Sequence, residues 1–288
     1  MRKGNSIPAA ILMLSYVFGP AAVAAEPIAA GDGRQTVDIA GTRLTVFTYR
    51  PANCSDLSLL MVFHGNARNA RTYRDYAQAL ADRHCLLLVA PLFDRRDFPA
   101  WRYQRGGIVK DGVVQNPQDW TGMLVPALAD WVRQQEGRPL DYSLLGHSAG
   151  SQFLERLAAF VPTQARRIVV ANPGSYVSPS LDVAAPYGLG KVYAGADGEA
   201  QLRRYLEQPL TIYLGEGDTH VDDRDDSPEA RAQGGSRHER GVNVFNAGRT
   251  LAQERGWTFN WRLVELPGVG HSAQKMFAAP QLADALAP

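Results

Sequence analysis

Gly146 and Gly150 each stand two residues from Ser148 in the stretch Tyr142-Ser143-Leu144-Leu145-Gly146-His147-Ser148-Ala149-Gly150-Ser151-Gln152. This spacing constrains the fold more than any other feature of the chain. The stretch reads as a short apolar strand, a sharp turn at the serine, and a helix that starts there. A serine on such a strained turn tolerates no bulky side chain two positions away, and glycine on both sides supplies the clearance. The helix then aims backbone N–H groups and a partial positive charge at any anion that forms beside the hydroxyl.

The 288 residues suit one large α/β domain or two small ones, and 45% hydrophobic with 20% charged residues is the balance of a chain that buries a sizeable core. A formal net charge of +1 gives no electrostatic case for a nucleic-acid or anionic-membrane partner. At the N-terminus, Arg2 and Lys3 form a basic start, and residues 7–18 are a mostly apolar run too short to span a bilayer. Small residues follow, with Ala22-Val23-Ala24 and Val23-Ala24-Ala25 as competing cleavage sites and no cysteine behind them for a lipid anchor. Residues 1–25 are therefore expected to be a signal peptide, with 26–288 delivered as a single domain to the periplasm or the medium. An uncleaved anchor is the alternative. Cleavage lowers the 30 Lys and Arg to 28, against 29 Asp and Glu.

Along the mature chain, residues 35–39 and 44–49 alternate and are β-branched, which predicts a hairpin around Ala40-Gly41-Thr42. Residues 57–63 and 86–91 are continuous apolar runs, as expected of strands covered on both faces of a parallel sheet. Between them, residues 69–83 carry Tyr73, Tyr76, Ala77, Leu80 and Ala81 at helical spacing. A long loop, 92–111, holds Phe93, Phe98, Trp101 and Tyr103 among four arginines, and a helix is expected over 117–135. Further strands are predicted at 167–172, 210–214 and 259–266, with helices near 200–207, over 242–254 and at the C-terminus. Strands alternating with helices imply a mostly parallel central sheet with helices on both faces, and ligands in such sheets bind at the carboxyl ends of the strands. His64, Ser148, Asp218 and His271 each fall just past a predicted strand, so four distant loops converge on one rim.

A serine hydroxyl is a weak nucleophile until a base takes its proton, and that base needs an acid to hold its tautomer. Of six histidines, His271 follows the last strand between Gly270 and Ser272 and is the expected base. His64 heads a loop where it fixes loop shape, His147 lies inside the turn itself, His84 sits on the opposite edge, and His220 and His238 fall in a polar stretch. For the acid, Asp218 is four residues past the end of its strand, and Asp222 and Asp223 are the alternatives. The acidic run 222–226 lacks the spaced pattern of a calcium loop, so neither metal nor other cofactor is expected.

The order Ser148, Asp218, His271, together with His64-Gly65 and Gly146 to Gly150, resembles the α/β-hydrolase superfamily over nearly all of the mature length. Within it, the secretion signal and the His-Gly loop look most like the polyhydroxybutyrate-depolymerase and feruloyl-esterase group. The resemblance implies two oxyanion donors, the backbone N–H groups of Ala149 and Asn66, and a lid or pocket-forming insert at 173–208. It implies a secreted serine hydrolase that cleaves small or oligomeric carboxylic esters through an acyl-enzyme intermediate. A peptidase or lipase of the same fold is one alternative; a binding protein without activity is another, since fold alone does not assign function.

Two expectations remain. Trp101 and Tyr103 lie in a loop on the same rim as the triad, where they either wall a substrate pocket or pack over the sheet end. Cys54 and Cys85 precede two strands that should be parallel neighbours, so both lie at the amino edge of the sheet and are expected to form a disulfide, two free thiols being the alternative.

Overall fold

In the computed structural model, which describes Met1 and residues 26–220 and 225–287, Ala40 and Gly41 carry positive φ of 49° and 78°. Such a pair twists the chain as a hairpin requires. Strand β1 (Gly31–Ile39) therefore returns directly as β2 (Thr42–Arg50), antiparallel and with Ile39 opposite Thr42. The predicted signal peptide lies outside the described residues, apart from Met1.

After the hairpin come β3 (Ser58–Phe63), α1 (Ala70–His84) and β4 (Leu86–Leu92), then the short pair β5 (Val109–Lys110) and β6 (Val113–Val114) in the aromatic loop. Next are α2 (Leu124–Glu136), β7 (Tyr142–His147), α3 (Ala149–Phe160) and β8 (Arg167–Ala171). The remainder comprises α4 (Gly195–Leu206), β9 (Leu210–Gly215), the single turn α5 (Pro228–Arg231), α6 (Arg237–Arg255), β10 (Arg262–Leu266), α7 (Ala273–Ala278) and α8 (Gln281–Leu286).

Eight strands form one sheet in the order β1-β2-β4-β3-β7-β8-β9-β10. Strand β2 is antiparallel to both its neighbours, β1 and β4, and every pairing from β4 onward is parallel. The apolar runs are continuous because successive residues face opposite sides and both sides are covered. Leu59, Met61 and Phe63 face a core shared with Leu128 of α2 and Phe153 of α3. Leu60 and Val62 face a second core with Ala77 and Leu80 of α1 and Phe277 of α7.

Among the boundaries that differ from the sequence reading, three have a local cause. Residues 117–135 are not one helix: Pro117–Asp119 and Thr121–Met123 are 3-10 turns, with Trp120 extended between them at φ −63° and ψ 132°. Pro126 explains the break, because its ring lacks an N–H and would crowd the carbonyl of Gly122 if α2 extended backward. The last strand starts at Arg262 because Trp261 turns inward, donating Nε1–H to the carbonyl of Tyr205 at 2.9 Å. Helix α6 starts well before residue 242. Ser236 caps it by accepting from Glu239 N–H at 3.1 Å, while the Glu239 carboxylate reaches back to Gly235 N–H at 2.7 Å.

Cys54 and Cys85 are joined in a disulfide, with Cα atoms 5.4 Å apart. Ser58 of β3 pairs with Leu86 of β4 just beyond the two cysteines, so the bond clamps the amino edge of the sheet.

Candidate active site

Strand β7 delivers the chain to the carboxyl edge of the sheet, and Ser148 makes the turn into α3 with φ 55° and ψ −116°. A non-glycine residue in that region costs about 1–3 kcal/mol and persists only where its surroundings enforce it. The enforcement is visible in the two glycines. A Cβ on Gly150 would lie 2.3 Å from the carbonyl oxygen of Phe63, and one on Gly146 would lie 2.6 Å from the carbonyl carbon of Gly150. The turn closes only because both side chains are absent.

The loop after β10 brings His271 to the serine, with Nε2 3.0 Å from Ser148 Oγ. The loop after β9 brings Asp218 to the other side of the ring, with Oδ2 2.7 Å from His271 Nδ1. In the neutral imidazole, Nδ1–H then donates to the carboxylate and the bare Nε2 accepts the hydroxyl hydrogen. The two loops are tied together, since Gly217 N–H donates to the carbonyl of Val269 at 2.9 Å. Asp218 is 1% exposed, and its second oxygen meets Arg237 Nη1 at 3.3 Å. Asp222 and Asp223 lie outside the described residues.

Two further histidines pack around this chain of hydrogen bonds. Burial, with the nearby His271 and Arg237, holds His147 well below the usual imidazole range. Its Nδ1 lies 3.0 Å from the hydroxyl of Tyr73, and its ring centre is 4.7 Å from that of His271. Burial also pulls His64 down to about 4. Phe93 N–H donates to His64 Nε2 at 3.1 Å, which leaves the ring proton on Nδ1 for the carbonyl of Gly65 at 3.0 Å. His64 thus joins the loop after β3 to the loop after β4. His84 lines a groove at the amino edge, His220 is exposed, and His238 pairs with Glu265 at 2.7 Å.

Ser148 lies where two cavities meet, and Asn66 is shared by both. One, of about 510 Å³, is walled by Ala149, Gln104, Arg105, Gln152, Asp225 and Arg237. The other, of about 470 Å³, holds His271, with Arg95, Tyr76, Ser272 and Gln274 around it. Ala149 is the first residue of α3, where N–H groups have no acceptor within the helix. The structure thereby sets Asn66 and Ala149 in the same cavity wall as Ser148.

The whole architecture has close counterparts. The poly(3-hydroxybutyrate) depolymerase LpqC of Bordetella parapertussis matches 90% of this chain and 92% of its own, with a TM-score of 0.82 and 33% identity. The chain is an α/β-hydrolase of the poly(3-hydroxybutyrate)-depolymerase type. This hydrolase is equally similar to poly(aspartic acid) hydrolase-1 from Sphingomonas sp. KT-1, at 34% identity over 86% of this chain and 96% of that one, with a TM-score of 0.81. The S-formylglutathione hydrolase of Agrobacterium tumefaciens, at 15% identity, covering 91% and 96% of the two chains with a TM-score of 0.51, shares the fold. No protein-family model and no curated protein matches the hydrolase.

The aromatic loop of the hydrolase does reach the site, but not through the residues expected. Tyr103 is fully buried, stacked 5.0 Å from Phe93 and 5.3 Å from Phe153, and its hydroxyl donates to the carbonyl of His64 at 2.8 Å. Its polar end is already used, so it supports the loop after β3 from below. Trp101 is half-buried under Lys110, whose ammonium lies 5.4 Å from the ring centre, and it lines neither cavity at Ser148. Ala100, Gln104 and Arg105 of the same loop line the cleft instead.

Of the proposed insert, residues 173–194 fold down over the helix α3. Arg156, fully buried, donates to the carbonyls of Ser175 at 2.9 Å and Pro186 at 3.1 Å, and to Ser175 Oγ at 3.2 Å. Ser175 Oγ and Tyr187 OH both donate to Asp225 Oδ2 at 2.9 Å. Burial raises Asp225, but hydrogen bonds from Ser227, Tyr187 and Ser175 outweigh it and hold the carboxyl below its usual range. Arg237 and Arg156 escape a sequence search because Asp218 is 19 residues from the first and Ser175 is 19 residues from the second. The one local signal was the cap Ser236, which places Arg237 at the first turn of a helix. Among the described residues, no group of three or more His, Cys, Asp or Glu side chains is arranged to hold a metal ion.

Proposed function

We propose that this hydrolase is an exported serine esterase that works through an acyl-enzyme. The observation that carries the reading is the hydrogen-bonded line from Ser148 Oγ through His271 to the buried Asp218, built on a strained turn. His271 Nε2 takes the hydroxyl proton as Ser148 Oγ bonds to the ester carbonyl carbon. The carbonyl electron pair moves onto oxygen, where the N–H groups of Asn66 and Ala149 receive it. The pair then returns and the ester C–O bond breaks. The departing alkoxide takes the proton from His271 and leaves as an alcohol. Water repeats the sequence on the acyl-enzyme, releasing the acid and restoring Ser148. Asp218 orients His271 and stabilises its charged form. The relative named for poly(3-hydroxybutyrate), a polyester, supports a small or oligomeric carboxylic ester as substrate.

The disulfide and the N-terminal pattern of Arg2-Lys3, an apolar run and small residues support export. The test is covalent labelling by a fluorophosphonate together with hydrolysis of p-nitrophenyl esters of rising chain length. Labelling and turnover are expected in the wild type, with both lost in Ser148→Ala. A Ser148→Ala protein that keeps more than about a tenth of the activity would remove the serine from the mechanism.

A further inference from the structure

The two cavities at Ser148 have different chemical duties. The leaving alcohol must collect a proton from His271, so it occupies the cavity that His271 lines, and the acyl group takes the other. Each contains one guanidinium that forms no ion pair among the described residues.

In the acyl cavity the charged side chains are Arg105, Arg237, Asp225 and Asp226. Arg237 is paired with Asp218 at 3.3 Å, and Asp226 with Arg231 at 3.2 Å. Asp225 is backed by the buried Arg156 through their shared partner Ser175. That leaves Arg105. It lies with its guanidinium carbon 5.7 Å from the centre of the Tyr187 ring, and among the described residues its side chain makes no ion pair or hydrogen bond. In the leaving-group cavity, Arg95 gives one N–H to the carbonyl of Asn66 at 2.7 Å and has no acidic partner among the described residues, and no described carboxylate lines that cavity. An arginine offers five donors in a rigid fork that suits a carboxylate, and in a cleft of low-dielectric walls its field is focused.

We infer that the ester cleaved here carries a carboxylate on each side of the scissile bond, the acyl side seated on Arg105 and the alcohol side on Arg95. The inference rests on the serine-esterase reading above. It makes this site one for polar, anionic esters, in keeping with the Gln104, Gln152 and Gln274 side chains that line the two cavities.

Two substrate pairs test it: 4-nitrophenyl butyrate against 4-nitrophenyl hydrogen glutarate, and phenyl butyrate against 4-carboxyphenyl butyrate. The readout is the ratio of kcat/KM for the charged ester over the neutral one within each variant, so a general loss of activity cancels. Arg105→Gln should lower the ratio for the first pair by about tenfold, the scale of one charge-assisted hydrogen bond, and leave the second within about twofold. Arg95→Gln should do the reverse. Raising the NaCl concentration should lower both ratios in the wild type, and should leave unchanged in each variant the ratio whose arginine is gone. Ratios that do not move in either variant, with neutral esters still cleaved, overturn the anionic substrate and leave the esterase standing. No turnover of any ester and no fluorophosphonate labelling would overturn the esterase and this inference with it.

Discussion

Arg237 Nη1 and Asp218 Oδ1 form an ion pair at 3.3 Å, with both side chains almost entirely removed from solvent. The same aspartate holds His271 through its other oxygen, so the orientation of the imidazole depends on a helix N-terminus nineteen residues further along the chain.

Removing one partner of a buried pair leaves an uncompensated charge, so Arg237→Met should destabilise the protein by about 3–5 kcal/mol. Asp218→Asn should lower kcat by about 10⁴ through the wrong histidine tautomer. The double variant should be less destabilised than Arg237→Met alone, because the stranded charge is gone. Urea denaturation of the three variants, with kcat for each, checks the coupling. Additive stability losses would show that the two side chains do not act as a pair.

The Cys54–Cys85 bond closes a loop with a sequence separation of 31 residues. Chain entropy assigns such a closure about 3–4 kcal/mol of stability. Cys54→Ser with Cys85→Ser should lower the urea midpoint accordingly and make it indifferent to reductant. Activity per folded molecule should hold, since the bond lies at the edge of the sheet away from Ser148.

His64 is held down to about 4 chiefly by burial, below the usual 6.5. A folded-state pKa below the unfolded one favours the neutral ring, so its contribution is complete above pH 6.5 and is lost as the pH falls from there towards about 4. Protonation would also cost the bond from Phe93 N–H to Nε2, which joins the loop after β3 to the aromatic loop. Stability should therefore decline between pH 6.5 and 4, and the decline should be shallower in His64→Gln, by urea denaturation at closely spaced pH values.

Glu155 on α3 behaves in the opposite sense. Burial pushes it up to about 7 from 4.5, against the hydroxyl of Tyr205, which donates to it at 2.8 Å. A raised pKa favours the protonated acid in the folded state, so its contribution is complete below pH 4.5 and is lost as the pH rises through about 7. Glu155→Gln has no proton to lose. Its stability relative to wild type should improve by up to about 3 kcal/mol between pH 5 and pH 8, and a difference independent of pH would refute the assignment.

The turn at Ser148 was legible from eleven residues, because a close backbone approach demands glycine at fixed offsets and nothing distant can replace it. The covered strands, the hairpin at Ala40-Gly41 and the disulfide were legible on the same ground. Strand period, turn conformation and the edge a cysteine occupies follow from a few neighbouring residues and one rule of topology. What the chain could not show by itself was which of two roles a side chain takes when both are chemically open to it. Tyr103 and Arg105 are two residues apart in one loop, yet packing against Phe93 and Phe153 buries the tyrosine under His64 while the arginine reaches the cleft. Arg237 became the partner of Asp218 only when β9 and α6 were packed together, and Pro126 ended a helix that periodicity alone would have carried further. Local constraint is written in adjacent residues, but charge pairing and burial are decided by whichever surfaces the sheet brings into contact.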